Sequence, residues 1–391
     1  MTVSKQEKKM ASKTQNPSIG RLHLILFIVF AIPLPSMLAA CGPSTADLEA
    51  VDYTPLRRDE WEVSTPAEQG LDPMLVAELY YNAAELETIY GLLVVKDGYL
   101  IAEDYFNEGS LEQKALLQSV TKSITSALVG LAQEQGCLSS VDQKMIDFFP
   151  DFADQITDPR KKQIQIRDML QMRSGYPAEE SDPALWEAVL SGDYVHLVAD
   201  FPLTNDPGTE FQYSNLTAHW LGVIVARACD TDLKSYAQEH LFDPLGGEIG
   251  DWKEDLGGYN FAAGEIHLKA RDAAKFGLLY LNDGQYEGHQ IIPADWVRDS
   301  LQSYSQNTYD NIGDFRDIGY GYQWWSADVG GHHVNFAWGH GGQLIVLLDD
   351  LNMVVVVTAD PFYLVNSSES WRHEKANFEL VGEFIDSLPA E

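Results

Sequence analysis

The sequence is short of positive charge and of cysteine. It carries 26 lysines and arginines against 59 aspartates and glutamates, a net charge of -33 over 391 residues. A protein that grips nucleic acid through phosphates needs a basic face, so no nucleic-acid partner is expected. The plain reading of the acidity is a soluble, self-repelling surface. Three cysteines occur, Cys41, Cys137 and Cys229, with no C-x-x-C pair and no histidine at zinc-finger spacing. A structural metal is therefore not expected. The adjacent pair His332-His333 has no third ligand beside it and reads as an exposed loop pair. Sequence leaves open whether Cys137 and Cys229 pair. Internal repeats and low-complexity tracts are also missing. What is present is 45% hydrophobic residues, enough for one large core or two smaller ones.

The chain begins with Lys5, Lys8, Lys9, Lys13 and Arg21, with Glu7 among them, and then runs apolar from Leu22 to Ile32. A basic region, a short apolar core and the small residues of Leu38-Ala39-Ala40-Cys41-Gly42 form a secretory leader, because the run is too short to span a bilayer comfortably. An exported chain is expected. The Leu-Ala-Ala-Cys end resembles a bacterial lipoprotein signal, which implies lipidation of Cys41 and a membrane held through that anchor. Residues 42–60 lack periodicity and read as a tether.

The folded part is expected over 61–391. Asp72-Pro73 offers a helix start, followed by Leu75, Leu79 and Ala83 at spacings of four. Gly91–Val95 and Tyr99–Tyr105 flank Lys96-Asp97-Gly98, which predicts a two-strand hairpin. From Ser119 the spacing of Ile124, Leu128 and Leu131 predicts a helix ending near Gly136. The region to about Asp255 is richer in helix and loop signals than in strands. It includes Pro207-Gly208-Thr209-Glu210-Phe211-Gln212-Tyr213-Ser214-Asn215, which runs straight into a helical pattern. Helices are expected over Ala270–Leu281, from near Pro293, and over Glu374–Leu388. Asn335–Trp338, Gln343–Leu348 and Met353–Thr358 read as an antiparallel meander. The fold class is mixed α+β: one antiparallel sheet built from both chain ends (about 61–118 and 256–391), flanked by terminal helices, with a mostly helical insertion (about 119–255).

Chemistry concentrates at Ser119-Val120-Thr121-Lys122. On a helix starting there, Lys122 lies one turn beyond Ser119 on the same face, so an amine sits beside an alcohol. A neutral lysine can take the hydroxyl proton, and a charged one can stabilise a neighbouring anion. The motif is weak alone, since about one Ser-x-x-Lys arises by chance in such a chain. This is the single one present. Tyr-x-Asn begins at Tyr80, Tyr105, Tyr213, Tyr280 and Tyr309, and only Tyr213 follows the serine at a loop-to-helix junction.

Ser119-x-x-Lys122, then Tyr213-x-Asn215 after Pro-Gly-Thr, then His340-Gly341-Gly342 before a strand resembles the serine β-lactamase and penicillin-binding protein superfamily. The likeness is greatest to class C β-lactamases and their esterase and D-peptidase relatives, and covers roughly residues 60–390. The class A set is Ser-x-x-Lys, Ser-Asp-Asn and Lys-Thr-Gly, and here the second and third elements differ. The resemblance implies a β-lactamase/transpeptidase-like fold, a serine acyl-enzyme, no metal and no other cofactor. Ser119 is then the nucleophile, Lys122 and Tyr213 a shared acid/base pair, and Asn215 an orienting or substrate-binding amide. The backbone amides of Ser119 and Gln343 would receive the oxyanion. Free tyrosine and lysine titrate near 10 and 10.4, so each must be tuned by the other, and which is the base stays open. Gly341 and Gly342 would let substrate lie against the strand. His340 stands where many relatives carry lysine, so its pull on a substrate carboxylate would depend on pH. The substrate is a small molecule or peptide bearing an ester, a β-lactam or a D-amino-acid amide. The competing expectation is a cell-wall sensor that acylates without turnover.

Overall fold

The computed structural model describes residues 42–56, 61–189, 191–364 and 369–390. The leader and Cys41 lie outside them. Seven strands form one antiparallel sheet: β1 (Ile89–Lys96), β2 (Tyr99–Tyr105), β3 (Arg316–Tyr320), β4 (Trp325–Val329), β5 (His332–Gly339), β6 (Gln343–Leu348) and β7 (Met353–Ala359), in the order β2-β1-β7-β6-β5-β4-β3. The predicted hairpin turns at Asp97 and Gly98, both with positive φ (53° and 82°), as a two-residue loop between right-twisted strands requires. Its inner strand pairs with the last strand of the chain, Leu92 facing Val357 and Val94 facing Val355. The sheet is therefore assembled from both ends of the sequence.

Both faces are covered, which is why β6 and β7 read as unbroken apolar runs rather than alternating ones. Leu93, Val95, Ile345, Leu347, Val354 and Val356 point into one core, while their neighbours Leu92, Val94, Leu344, Val346, Val355 and Val357 point into another. Helix α1 (Pro73–Ala84), capped by the Asp72 carboxylate, and the C-terminal α5 (Glu369–Asp386) contribute Leu79 and Phe378 to the second core. Helices α2 (Val120–Glu134), α3 (Asn215–Cys229) and α4 (Ala270–Leu281) belong to the first. At Gly277 of α4 a Cβ would lie 2.7 Å from Val354 Cγ1, so the helix rides close on the sheet. Cys137 and Cys229 form a disulfide linking the segment after α2 to the end of α3. Among the described residues, no helix is long and apolar enough to cross a membrane.

Two expectations need correction. His332-His333 is not an exposed loop pair: the residues open β5, where successive side chains face opposite ways. His332 is buried with Nδ1 on Asp350 Oδ2, and His333 is exposed with Nδ1 on Asp328 Oδ1. The supposed tether is also partly ordered against the body. Residues 45–49 form a short helix with a capping box, Tyr53 stacks near Tyr80 at 5.5 Å and accepts the Glu103 amide, and the Leu56 amide donates to the Glu103 carboxylate. Polar composition hid backbone and ring partners that lie far away in sequence.

Candidate active site

Gln118 has φ of 49°, in the left-handed region that a side chain of its kind rarely occupies. That turn delivers Ser119 to the first position before α2, and the Ser119 side chain makes no capping hydrogen bond. Its hydroxyl thus remains available to Lys122, whose Nζ lies 2.8 Å from Ser119 Oγ. Lys122 is buried, 1% exposed, and Nζ also meets Asn215 Oδ1 and the Ala263 carbonyl, each at 2.7 Å. Three oxygens around one nitrogen define two proton arrangements. An ammonium donates to all three. A neutral amine donates to Asn215 and Ala263 and turns its lone pair to the Ser119 hydroxyl, the arrangement a base needs.

Tyr213 and Asn215 come from the junction into α3. Ser214 caps that helix by accepting from the Thr217 amide. Behind it, Glu179, 1% exposed, accepts from Ser214 Oγ at 3.1 Å and from the amides of Asn215 and Leu216, each at 2.9 Å. A carboxylate at a helix N-terminus satisfies free amides and meets the positive end of the helix dipole. Asn215 is fixed by this through its backbone while its side chain reaches Lys122. The half-buried Tyr213 packs on Trp325 at 5.3 Å, and its ring centre lies 4.8 Å from Lys122 Nζ.

The β5–β6 turn closes the site from the sheet side. A Cβ on Gly339 would lie 2.2 Å from the Leu117 carbonyl oxygen, so the end of β5 presses on the segment leading to Ser119. Gly341 and Gly342 have φ of 84° and 83°, and Cβ atoms there would meet Pro361 Cα at 2.5 Å and Asn377 Nδ2 at 2.4 Å. The turn's conformation and its packing against the body demand glycine, rather than the open strand face expected from sequence. Gln343 is buried, and its side-chain amide exchanges hydrogen bonds with the backbone of Ala359, fastening β6 to the end of β7. From α5, Glu374, 1% exposed, accepts from Trp338 Nε1 at 2.7 Å and the Gly341 amide at 3.0 Å, with His340 Nδ1 at 2.9 Å. The hydrogen bond to Glu374 raises the His340 pKa above its ordinary value, against an opposing push from burial.

The structure thus gathers Ser119, Lys122, Tyr213 and Asn215 around one amine and sets the His340 turn against the segment leading to Ser119. Sequence reasoning missed Glu179, Glu374 and the Ala263 carbonyl. Beside the last, Thr125 Oγ1 donates to the Ala262 carbonyl and the buried His219 accepts the Ala262 amide through Nδ1. The other His219 nitrogen meets Asp255 Oδ2 at 3.1 Å, which fixes Nε2 as the protonated one.

Comparison with known proteins places this geometry. The family model described as Beta-lactamase matches residues 91–378. The chain is similar to a 6-aminohexanoate-dimer hydrolase of Paenarthrobacter ureafaciens, 27% identical over 252 residues, covering 60% of this chain and 63% of that protein. Among solved structures, a putative 6-aminohexanoate-dimer hydrolase from Bacillus anthracis superposes with a TM-score of 0.61 at 21% identity, covering 78% of this chain and 81% of the other. EstCE1, described as a hydrolase with promiscuous acyltransferase activity, gives a TM-score of 0.64 at 15% identity over 80% and 98% of the two chains. At such identities the structural likeness speaks for the fold, while the family match spans most of the sequence and carries the Ser-x-x-Lys, Tyr-x-Asn and His-Gly-Gly elements in order. The chain belongs to the β-lactamase family, within the serine β-lactamase and penicillin-binding protein superfamily.

Proposed function

We propose that this protein is a serine hydrolase of the class C-like branch, cleaving an ester or amide through an acyl-enzyme on Ser119. The observation that carries the reading is the buried Lys122 amine 2.8 Å from Ser119 Oγ, held there by Asn215 and the Ala263 carbonyl. Ser119 Oγ attacks the substrate carbonyl carbon and its proton passes to the Lys122/Tyr213 pair. The resulting oxyanion is received by the backbone amides of Ser119 and Gln343. The same pair returns the proton to the leaving alkoxide or amine as that bond breaks. Water then repeats the sequence on the acyl-enzyme and frees the acid.

Within this class a carboxylesterase ranks ahead of a β-lactamase or a D-amino-acid amidase. His340 is engaged by Glu374 and so offers a substrate carboxylate less than a free lysine would. Turnover of a short-chain p-nitrophenyl ester, a chromogenic cephalosporin and a D-Ala-D-Ala peptide tests this, with the ester expected fastest. Ser119→Ala should lower the active reaction at least about a thousandfold. An alanine variant with full activity sinks the mechanism, and a stable Ser119 adduct without turnover would favour the sensor instead. We place the protein outside the cytoplasm on a lipid anchor at Cys41. The leader pattern and the Cys137–Cys229 disulfide support this. An unlipidated chain found in membranes by mass spectrometry would overturn it.

A further inference from the structure

The Ala263 carbonyl can hold Lys122 only as firmly as it is held itself. It projects from a tight turn over residues 261–264, closed by the Gly264 amide donating to the Phe261 carbonyl at 3.1 Å. Turns usually lie at the surface, but this one is buried at Ala262 and Ala263. Side chains grip it from several directions. Trp252 Nε1 donates to the Phe261 carbonyl at 3.0 Å and to that of Gly264 at 3.2 Å. Thr125, one turn beyond Lys122 on α2, donates to the Ala262 carbonyl at 2.8 Å, and His219 Nδ1 accepts the Ala262 amide at 3.3 Å. His219 stands one turn beyond Asn215 on α3, and one turn further a Cβ on Gly222 would come within 2.3 Å of Ala262 Cβ. Helix α3 thus reaches Lys122 twice, directly through Asn215 Oδ1 and indirectly through His219 and the turn.

The indirect route depends on one tautomer. A backbone amide can only donate, so Nδ1 must present its lone pair and Nε2 must carry the proton. Asp255 enforces that choice: Oδ1 accepts the Tyr259 amide at 2.9 Å, Oδ2 meets His219 Nε2 at 3.1 Å, and both side chains are fully buried. The rings of Tyr194 and Phe261 enclose the imidazole at 5.3 and 5.2 Å. Burial holds His219 below its ordinary pKa, against the opposing hydrogen bond to Asp255, and so keeps Nδ1 free of a proton. Packing alone calls for no charge here, since a buried carboxylate is costly and an apolar pair would fill the same space. What the pair supplies and a hydrocarbon lacks is an acceptor of fixed orientation aimed at Ala262.

We propose that His219 and Asp255 are positioning residues for Lys122: Asp255 sets the imidazole tautomer, the imidazole fixes the Ala262 amide, and the turn thereby aims the Ala263 carbonyl at Nζ. The catalytic consequence rests on the hydrolase reading, but the placement of Lys122 does not. Asp255→Asn is the decisive variant. With its oxygen kept on the Tyr259 amide, the new side chain presents an NH2 to Nε2, so the proton moves to Nδ1 and meets the Ala262 amide donor against donor. For an ester that the wild type hydrolyses, kcat should fall about tenfold with KM within about twofold. His219→Asn keeps an oxygen near the place of Nδ1 and has no tautomer to set. The double variant Asp255→Asn/His219→Asn should therefore recover kcat to within about threefold of wild type, while unfolding at a lower temperature than Asp255→Asn alone. A purely structural pair predicts the reverse, and a double variant no more active than Asp255→Asn would overturn the proposal. NMR reads the same linkage without turnover. The 15N shifts of His219 should show Nδ1 unprotonated in the wild type and protonated in Asp255→Asn. The Lys122 13Cε resonance should move between the two, while that of Lys161, buried on the Val198 and Ala199 carbonyls, stays in place. An unmoved Lys122 resonance refutes the positioning role. A wild type that turns over no ester fails the hydrolase reading alone, and the Lys122 resonance then decides the proposal.

Discussion

Two buried carboxylates stand behind the site, and they are built differently. Glu179 gathers donors that keep their protons at any working pH: a serine hydroxyl and two amides at the start of α3. Glu374 gathers an indole, an amide and an imidazole, and the imidazole titrates. The first fixes the Tyr213-x-Asn215 element and, through Asn215, the lysine. The second fixes the turn that carries His340 and borders the segment leading to Ser119. The donors named on Glu179 are thus non-titrating, whereas one of those on Glu374 is an imidazole.

Removing the fixed anchor should do the greater damage. Glu179→Ala strands buried donors at the head of α3, each worth about 1–3 kcal/mol when left unpaired, so stability should fall on the order of 3 kcal/mol or more. Urea unfolding would read this, and a variant as stable as the wild type would erase the contrast. Glu374→Gln keeps the shape but removes the charge that holds His340. A loss of about 1–2 kcal/mol is expected, together with a drop of about tenfold in ester turnover as the turn loosens. If that variant unfolded as readily as Glu179→Ala, the two anchors would be equivalent after all.

The smallest effect sharpens the comparison most. Because the folded His340 pKa is raised, the His340–Glu374 contribution is fully present below about pH 6.5 and disappears as pH rises through the raised value. His340 is 44% exposed, so solvent screening keeps this contribution small. An NMR titration of the His340 ring should show a midpoint above the ordinary histidine value, falling in Glu374→Gln as burial then acts alone. An unmoved midpoint would mean that Glu374 does not set the titration.

Much of this was legible in the sequence where the signal is local. Asp97-Gly98 wrote its hairpin, the apolar spacing after Ser119 wrote α2, and the short runs around Gly341 wrote β5 to β7. Local order also set Lys122 one turn from Ser119. What escaped depends on partners distant along the chain. Glu179 sits in Ala-Glu-Glu-Ser and Glu374 in His-Glu-Lys, polar strings that look like solvated surface until the donors converge on them. Strands β3 and β4 escaped because Gly319, Gly321 and the clustered aromatics between Tyr320 and Trp325 blur the two-residue alternation. Gly341 and Gly342 were noticed, but their need to avoid Pro361 and Asn377 belongs to tertiary packing.

The pairing of β1 with β7 sets a timetable for the chain as it is made. Residues 89–96 emerge early, yet their partners at 353–359 follow more than two hundred and fifty positions later by residue number. Until then the hairpin offers an apolar edge with unpaired backbone groups, the kind of edge that recruits other chains. The turn that presses Gly339 on Leu117 likewise follows Ser119 by more than two hundred positions by residue number. Ser119 and Lys122 are therefore synthesised together but can be brought to working geometry only after the turn at residues 339–342 has emerged.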